Sequence, residues 1–283
     1  MENPIPPLMK PMIRIDDLTD SRLDAFRELR DADLRGARAL FTVESERVLE
    51  RFLKSGWPVE SILIEEDVHI RLKEILDEVN DEVPVYVARK GTLDTISGYG
   101  FHRGALALGR RAPGPPAGLR LEELYTHTRC TLLAADGVVH VDNMGSLFRN
   151  AACLSASGIL LGPGCADPLF RKTVRISSGH VFKVPWELTN DLQGTLLALK
   201  ERHDFRIIGL ELTDESHSIE RMSVSERTIL IVGSEGEGIS AETRSVCDEV
   251  VHIPGDRPND QDSLNVAVAS AIGLYELGRR TRV

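Results

Sequence analysis

Four clusters of residues have the types and spacing to do chemistry. The first is Gly233-Ser234-Glu235-Gly236-Glu237-Gly238-Ile239, which follows the apolar run 228–232. Its glycines can take positive φ and let a ligand approach the backbone. The pattern is G-x-x-G-x-G, not the dinucleotide G-x-G-x-x-G, and it lacks a Walker lysine. Glu235 and Glu237 would repel phosphate, so NAD and nucleoside triphosphates are disfavoured. On spacing alone, a tight strand-to-helix turn explains the loop better than a ligand does. The second cluster runs from Ile253-Pro254-Gly255 to Ser263-Leu264-Asn265-Val266, where Ser263 or Asn265 can cap a helix. Ala267, Ala269, Ala271 and Gly273 keep that helix thin, for close packing inside the chain or against a second copy. The third is Asp142-Asn143-Met144-Gly145-Ser146, followed by Arg149-Asn150. Asn143 and Ser146 read as helix-start residues, which places Arg149 in a first turn, where a cation opposes the helix dipole. An anionic partner, such as a phosphate or a developing alkoxide, would account for it; so would a surface salt bridge. The fourth, Arg175-Ile176-Ser177-Ser178-Gly179-His180, reads equally as a phosphate or ribose contact and as polar turn chemistry.

The elements that must position these residues alternate along the chain. The linker Ala112-Pro113-Gly114-Pro115-Pro116-Ala117-Gly118 disfavours helix and strand and divides residues 1–114 from 115–283. In the first part, an arginine-rich helical segment over 21–38 precedes helix 44–54, strand 59–64, helix 68–79, and strands 83–88 and 104–108. Val48, Leu49, Phe52 and Leu53 share one face of the first of those two helices. In the second part, strands are expected at 130–135, 158–161, 181–184, 205–210, 228–232 and 249–253. Helices are expected at 146–157, 192–203, 240–247 and 264–279. Such alternation predicts an α/β chain whose second sheet is mostly parallel and covered on both faces. The loops after 232 and 253 then lie at the carboxyl ends of strands, where open α/β sheets bind ligands. A pocket built there is mostly backbone, suited to a flat, neutral-to-cationic ligand rather than a metal.

With 283 residues and 42% hydrophobic content, the chain has enough material for two domains. No apolar run approaches the roughly 18 residues of a membrane helix. Met1 to Lys10 is proline-rich and lacks the apolar centre of a signal peptide, which reads as a cytoplasmic protein. Cys130, Cys153, Cys165 and Cys247 form no C-x-x-C pair and read as reduced, buried or half-buried thiols. Nothing in the sequence shows metal-ligand spacing. A net charge of −10 argues against a general nucleic-acid coat protein. Two stretches run against that balance. Residues 168–186 hold Arg171, Lys172, Arg175 and Lys183 with no acid, and Phe101-His102-Arg103-Gly104 with Arg110-Arg111 form another acid-free stretch. Either is a solvated edge or part of a local phosphate-binding surface.

Each signal is weak alone, but their order is specific. Asn143-x-Gly145-x3-Arg149-Asn150-Ala151-Ala152, Arg175-x-Ser177-x-Gly179, Gly233-Ser234-Glu235-Gly236-x-Gly238-Ile239, Ile253-Pro254 and Ser263-Leu264-Asn265-Val266 follow one another. The set resembles the SpoU (TrmH) family of RNA ribose methyltransferases over about residues 132–278. The first part resembles the ribosomal-protein-like substrate-binding domain often fused in front of it. That half of the resemblance rests on α/β alternation and on the segment Phe101-His102-Arg103-Gly104-Ala105-Leu106-Ala107.

The resemblance implies a trefoil-knotted, homodimeric methyltransferase domain that moves a methyl group from S-adenosylmethionine to a ribose 2′-hydroxyl of ribosomal or transfer RNA. It implies catalytic roles for Arg149, Asn143, Glu235, Ser263 and Asn265. Cofactor contacts would come from Leu210, Gly233, Glu235, Gly236, Gly238, Ile253, Pro254, Ser263, Leu264, Asn265 and Ala267. RNA contacts would come from Arg103, Arg171, Lys172, Arg175 and Ser177, with no metal and no membrane involved. The chain departs from the family at Gly255, where a methionine is usual, and at the acid-rich insertion 256–262. Two other classes remain in view: an RNA-binding knot-fold protein without catalysis, and a nucleotide-binding α/β enzyme. The presence of Arg149, Glu235, Ser263 and Asn265 counts against the former, and the missing phosphate-loop motifs count against the latter.

Overall fold

Short apolar runs bounded by turns build the sheet of the N-terminal half. The computed structural model describes residues 12–17, 19–27, 34–35, 38–97, 104–112, 115–116, 120–255 and 263–281. The chain divides into two units, Met1–Ala112 and Pro113–Val283. Unit one contains β1 (Ile13–Ile15), α1 (Asp24–Arg27), β2 (Leu40–Glu44), α2 (Glu46–Leu53), β3 (Val59–Glu65), α3 (Glu66–Asp77), β4 (Val85–Ala88), α4 (Thr92–Ser97) and β5 (Ala105–Arg110). The sheet order is β1-β4-β3-β5-β2. β1, β4 and β3 run parallel, whereas β5 is antiparallel to both β3 and β2. Val48, Leu49 and Phe52 are buried on the expected face of α2, with Phe52 edge-on to Phe41 of β2. The expectations had β1, β2 and α4 as loop or helix. Of the arginine-rich helical segment 21–38, a 3₁₀ turn at Ser21–Leu23 and α1 are seen; most of the rest lies outside the described residues.

Unit two contains β6 (Cys130–Ala135), α5 (Val141–Cys153), β7 (Gly158–Leu161), α6 (Arg171–Ile176), β8 (Trp186–Leu188), α7 (Leu192–His203), β9 (Arg206–Leu210), β10 (His217–Ser218), β11 (Arg227–Val232), α8 (Ala241–Arg244), β12 (Glu249–His252) and α9 (Val266–Thr281). Its seven strands are ordered β10-β12-β9-β11-β6-β7-β8, and every pairing is parallel. The central strands read as unbroken apolar runs because helices cover both faces. Leu132, Ala134, Leu160, Ile207, Ile229 and Ile231 share one core with Leu192, Leu196 and Leu199 of α7. From β6 the chain builds outward through β7 and β8, then returns across the sheet to β9 and comes back to β11. That reversal between β6 and β9 is the kind of switch point at which such sheets hold ligands.

Three expectations about unit two are corrected. Helix α5 begins at Val141, not at Ser146, with Met144 N–H already donating to the His140 carbonyl at 2.9 Å. Asn143 and Ser146 are therefore inside the helix, and Ser146 Oγ donates back to the Asp142 carbonyl at 2.9 Å. Arg149 consequently sits in the third turn, beyond the reach of the N-terminal dipole. Residues 181–184 form no strand: Ser178 at φ 55° and Gly179 at φ 78° end α6, and His180–Phe182 is a 3₁₀ turn. The strand comes after Pro185, at Trp186–Leu188. The helix expected at 240–247 is the short α8, capped by Ser240 Oγ accepting from Thr243 N–H.

Glycines mark where helices press closely. A Cβ on Gly145 would lie 2.8 Å from Ile176 Cβ and 3.0 Å from the Thr173 carbonyl oxygen, so α6 crosses α5 at this residue. On α9, a Cβ on Gly273 would lie 2.7 Å from Leu230 Cδ2 of β11. The thin face of α9 thus packs on its own sheet. Its far end is tied by Glu276, which pairs with Arg279 at 2.7 Å and Arg280 at 2.5 Å. Arg280 in turn donates to the Met222 carbonyl at 3.2 Å. The Arg279 and Arg280 hydrogen bonds outweigh burial and hold the Glu276 carboxyl down at about 2.

Two outcomes follow. Gly145→Ala gains up to about 1 kcal/mol of helix propensity, but overpacking against a backbone carbonyl costs about 1–3 kcal/mol. Urea denaturation should therefore show a net loss of stability. Because the folded pKa of Glu276 is depressed, its contribution is present above the ordinary carboxylate range and is lost as pH falls toward about 2. Glu276→Gln should lower the neutral-pH urea midpoint and flatten its decline in acid; an unchanged acid profile would refute that role.

Candidate active site

Ladder pairing sets Ala135 beside Val232, Val232 beside Leu210, and Leu210 beside Val251. The loops that follow these four residues leave the sheet at one level. Three of them, after β9, β11 and β12, enclose a cleft of about 530 Å³ that is closed by the start of α9. Its lining includes Leu210, Glu211, Gly233, Glu235, Gly236, Gly238, His252, Ile253, Ser263, Leu264, Asn265 and Ala269. Glu211, Glu235 and Glu237 face the cleft, and no lysine or arginine is among its described lining residues.

The 233–238 loop is held by its own backbone. Ser234 N–H donates to the Gly238 carbonyl at 2.9 Å and Gly238 N–H returns to the Ser234 carbonyl at 3.1 Å. A Cβ at Gly233 would lie 2.0 Å from the Gly238 carbonyl carbon, so no larger residue fits between the two arms. Gly238 takes φ 70°, and a Cβ there would meet Glu211 Oε1 at 1.9 Å. Two carboxylates fix the loop from below. Glu211 accepts from Ile239 N–H at 3.3 Å and pairs with Arg244 at 3.3 Å. Asp136 accepts from Ser240 N–H at 2.9 Å and Ser240 Oγ at 2.8 Å. Both acids come directly after the last residue of a strand, a shared position that marks them in the sequence.

A directional chain of amides joins the loop to both helices. Asn143 Nδ2 donates to Glu235 Oε1 at 2.5 Å, and Asn265 Nδ2 donates to Asn143 Oδ1 at 3.1 Å. Asn265 Oδ1 accepts from Ala267 N–H at 2.9 Å, capping α9 as expected of it. Two turns further along α5, Asn150 Nδ2 donates to the Ala267 carbonyl at 2.6 Å and to Ser270 Oγ at 3.0 Å. Asn143 thus has a defined partner at both its amide nitrogen and its amide oxygen, which fixes the orientation of the amide. Arg149, on the same helix, is exposed and makes no hydrogen bond or ion pair with any described residue. It does not line the cleft. Such an arrangement pairs a cation-accepting pocket with a free guanidinium outside it.

Residues 131–275 match the sequence profile of the SpoU rRNA Methylase family. The chain belongs to that family. A relative from Mycobacterium bovis, described as an uncharacterized tRNA/rRNA methyltransferase, is 36% identical over 274 residues, covering 94% of this chain and 90% of the relative. A 23S rRNA (guanosine-2′-O-)-methyltransferase of Acinetobacter baylyi is 27% identical, covering 87% of this chain and 95% of its own. The fold matches a solved AdoMet-bound rRNA methyltransferase from Sinorhizobium meliloti with a TM-score of 0.80 at 22% identity, over 96% and 99% of the two chains. The α/β architecture with a parallel methyltransferase sheet is thus that of SpoU structures.

Within this SpoU-family chain, the expected residues fall into three groups. Asn143, Glu235 and Asn265 are hydrogen-bonded together, and Leu210, Gly233, Gly236, Gly238, Ile253, Ser263 and Leu264 line the same cleft. Ala267 and Pro254 do not line it. Ala267 turns its carbonyl to Asn150 of α5, and Ala269, two residues on, faces the cleft instead. Ser177 is buried: its hydroxyl donates to the Val174 carbonyl at 2.9 Å and accepts from Gly179 N–H at 3.2 Å. It closes α6 and offers no surface to RNA. Lys172 is exposed and paired with Asp142 at 2.7 Å, and Arg175 is exposed. Arg103 and the insertion 256–262 lie outside the described residues. Burial pushes the Cys165 thiol to about 11 and Cys247 to about 12, which makes both poor nucleophiles, while Cys153 is exposed rather than buried. Among the described residues no group of three or more His, Cys, Asp or Glu is arranged to hold a metal ion, and no helix is long and apolar enough to cross a membrane.

The cap makes a separable prediction. Asn265→Ala should lower stability by about 1 kcal/mol, and Asn265→Ser should recover most of that loss because serine caps as well. Chemical denaturation of both variants measures it; equal losses would show that the cap is not what Asn265 contributes.

Proposed function

We propose that this chain transfers a methyl group from S-adenosylmethionine to a ribose 2′-hydroxyl of ribosomal or transfer RNA. The observation that carries the reading is the cleft itself. It has the volume of a small-ligand site, a backbone-rich wall, three carboxylates and no described cation. A polyphosphate would be repelled there, whereas a ligand bearing a sulfonium and an ammonium is favoured. The names of the Acinetobacter and Sinorhizobium proteins point to the same chemistry and the same cofactor.

S-adenosylmethionine, when bound, supplies a methyl carbon on a positively charged sulfur. The cleft lining of Leu210, Gly233, Gly236, Gly238, Ile253 and Leu264 would hold it, and its S–C bond would break as an O–C bond forms at the ribose and the hydroxyl proton leaves to water. Arg149 would act at that hydroxyl. A guanidinium is effectively always protonated, so its work is to stabilise the developing alkoxide rather than to take the proton. Asn143 positions the ribose or Arg149, Glu235 orients the loop, and Ser263 and Asn265 shape the pocket near the methyl group. Arg103, Arg171, Lys172 and Arg175 contact RNA phosphates. The chain functions in the cytoplasm as a homodimer with a trefoil knot in residues 115–283, and residues 1–114 form the ribosomal-protein-like RNA-binding domain. The exposed Val268 and Tyr275 on α9 fit a dimer contact. Retention of Arg149, Asn143, Glu235, Ser263 and Asn265 argues against a catalytically silent RNA-binding role.

S-adenosylhomocysteine should raise the melting temperature while NAD and ATP do not. Arg149→Ala should keep that shift and lose about 100- to 1,000-fold in methyl transfer, the usual effect of removing one oxyanion donor. The substrate is RNA from a strain lacking this gene, with 2′-O-methylation mapped by nucleotide. Near-normal transfer by Arg149→Ala would sink the catalytic assignment, and no missing modification in that strain would sink the activity.

A further inference from the structure

The structure assigns a second RNA-contacting surface to unit one, at the sheet end where β2 begins and β5 finishes. A cleft of about 640 Å³ opens there, lined among the described residues by Arg22, Arg38, Arg110 and Arg111 against two acids, Asp24 and Glu60. In the whole chain acids outnumber bases 44 to 34, so a four-to-two excess of arginine in one concavity is a local reversal. A neighbouring cleft over the same strand ends is the opposite: Glu60, Glu78 and Glu82 line it, with Arg110 as its only cation among the described residues.

Backbone geometry concentrates the arginines. Leu40 pairs with Arg110 across the antiparallel β2–β5 ladder, and Arg111 N–H donates to the Ala39 carbonyl at 2.7 Å. Arg111 Nε also donates to the Leu40 carbonyl at 3.1 Å, which aims its guanidinium along the strand end. Arg22 reaches in from the 3₁₀ turn before α1, pairs with Asp20 and lies over the Tyr86 ring at 6.0 Å. Arg110 pairs with Glu60 at an exposed position. Exposed pairs of this kind contribute little to folding, so their guanidiniums can turn to a phosphate in bidentate fashion at small cost. Among the described residues no aromatic side chain lines the cleft, so these residues offer nothing on which a base could stack. Its ligand is the phosphodiester backbone, held without regard to sequence. The surface lies at the opposite end of β5 from Gly104.

The choice of RNA rests on the proposed methyl transfer; the choice of a polyanion does not. The test uses the full chain and a labelled single-stranded RNA of mixed sequence, with affinity measured against KCl concentration and no cofactor. In the triple variant Arg22→Gln, Arg38→Gln, Arg110→Gln, the log–log salt slope should shrink by about 2, since each phosphate contact contributes roughly 0.7. Affinity at low salt should fall by about tenfold or more. The matching triple lysine variant should keep the slope, because counterion release depends on charge. The single variant Arg38→Gln, which leaves the Arg22 and Arg110 ion pairs in place, should shift the slope by about a third as much and covers any folding defect in the triple. Wild-type slope and affinity in the glutamine variants would overturn the proposal, as would an equal loss in the lysine variant. S-adenosylhomocysteine stabilisation of the same samples reports separately on the methyl-transfer reading.

Discussion

Ladder pairing across β6, β11, β9 and β12 brings Ala135, Val232, Leu210 and Val251 to a common height. The residues that come next, Asp136, Gly233, Glu211 and His252, are therefore neighbours although they are far apart in sequence. A slip of one residue in any pairing would turn a strand's side chains to the other face. It would also lift one loop off the level of the others. The carboxylates of Asp136 and Glu211 depend on this register, because each reaches a backbone N–H of the β11–α8 connection from the end of a different strand. The cleft is a by-product of aligned strand ends, and its charge follows from which residues end those strands.

Charge is unevenly distributed in the C-terminal unit. Carboxylates face the cleft, while Arg149, Lys172 and Arg175 are exposed on α5 and α6. A cationic small ligand and a polyanionic large one can thus be held by one unit without competing for the same groups. The Glu235–Asn143–Asn265 chain runs along the seam between the two regions. It ties the acidic loop to the helix that carries Arg149, so the spacing between the two kinds of site is set by fixed amides rather than by flexible side chains.

The strands were the most legible part of the sequence. β6 and β7 occupy the expected bounds, because a buried parallel strand must be apolar throughout. The cleft was legible only through the order of its motifs; the spacing of Gly233–Gly238 alone described a turn. What was missed depended on partners distant in sequence. Asn143 and Ser146 read as helix-start residues, yet both sit inside α5, where Gly145 leaves the space that α6 needs. Arg149 was misplaced by the same error. Ser177 reads as a ligand contact, yet its hydroxyl is used to close α6. Residues 181–184 are apolar enough for a strand, but the left-handed residues before them impose a turn.

Glu211 and Gly238 occupy one small volume between them. Any side chain at 238 requires a shorter residue at 211, and a shorter residue at 211 strands the Ile239 amide and Arg244. Neither position accepts a single change without a poorly formed loop, so the two would have to change together. Gly236, at the tip of the same loop, has nothing within 4 Å of where a side chain would go. The tip is therefore where a substitution can retune the lining of the cleft while its frame stays unchanged.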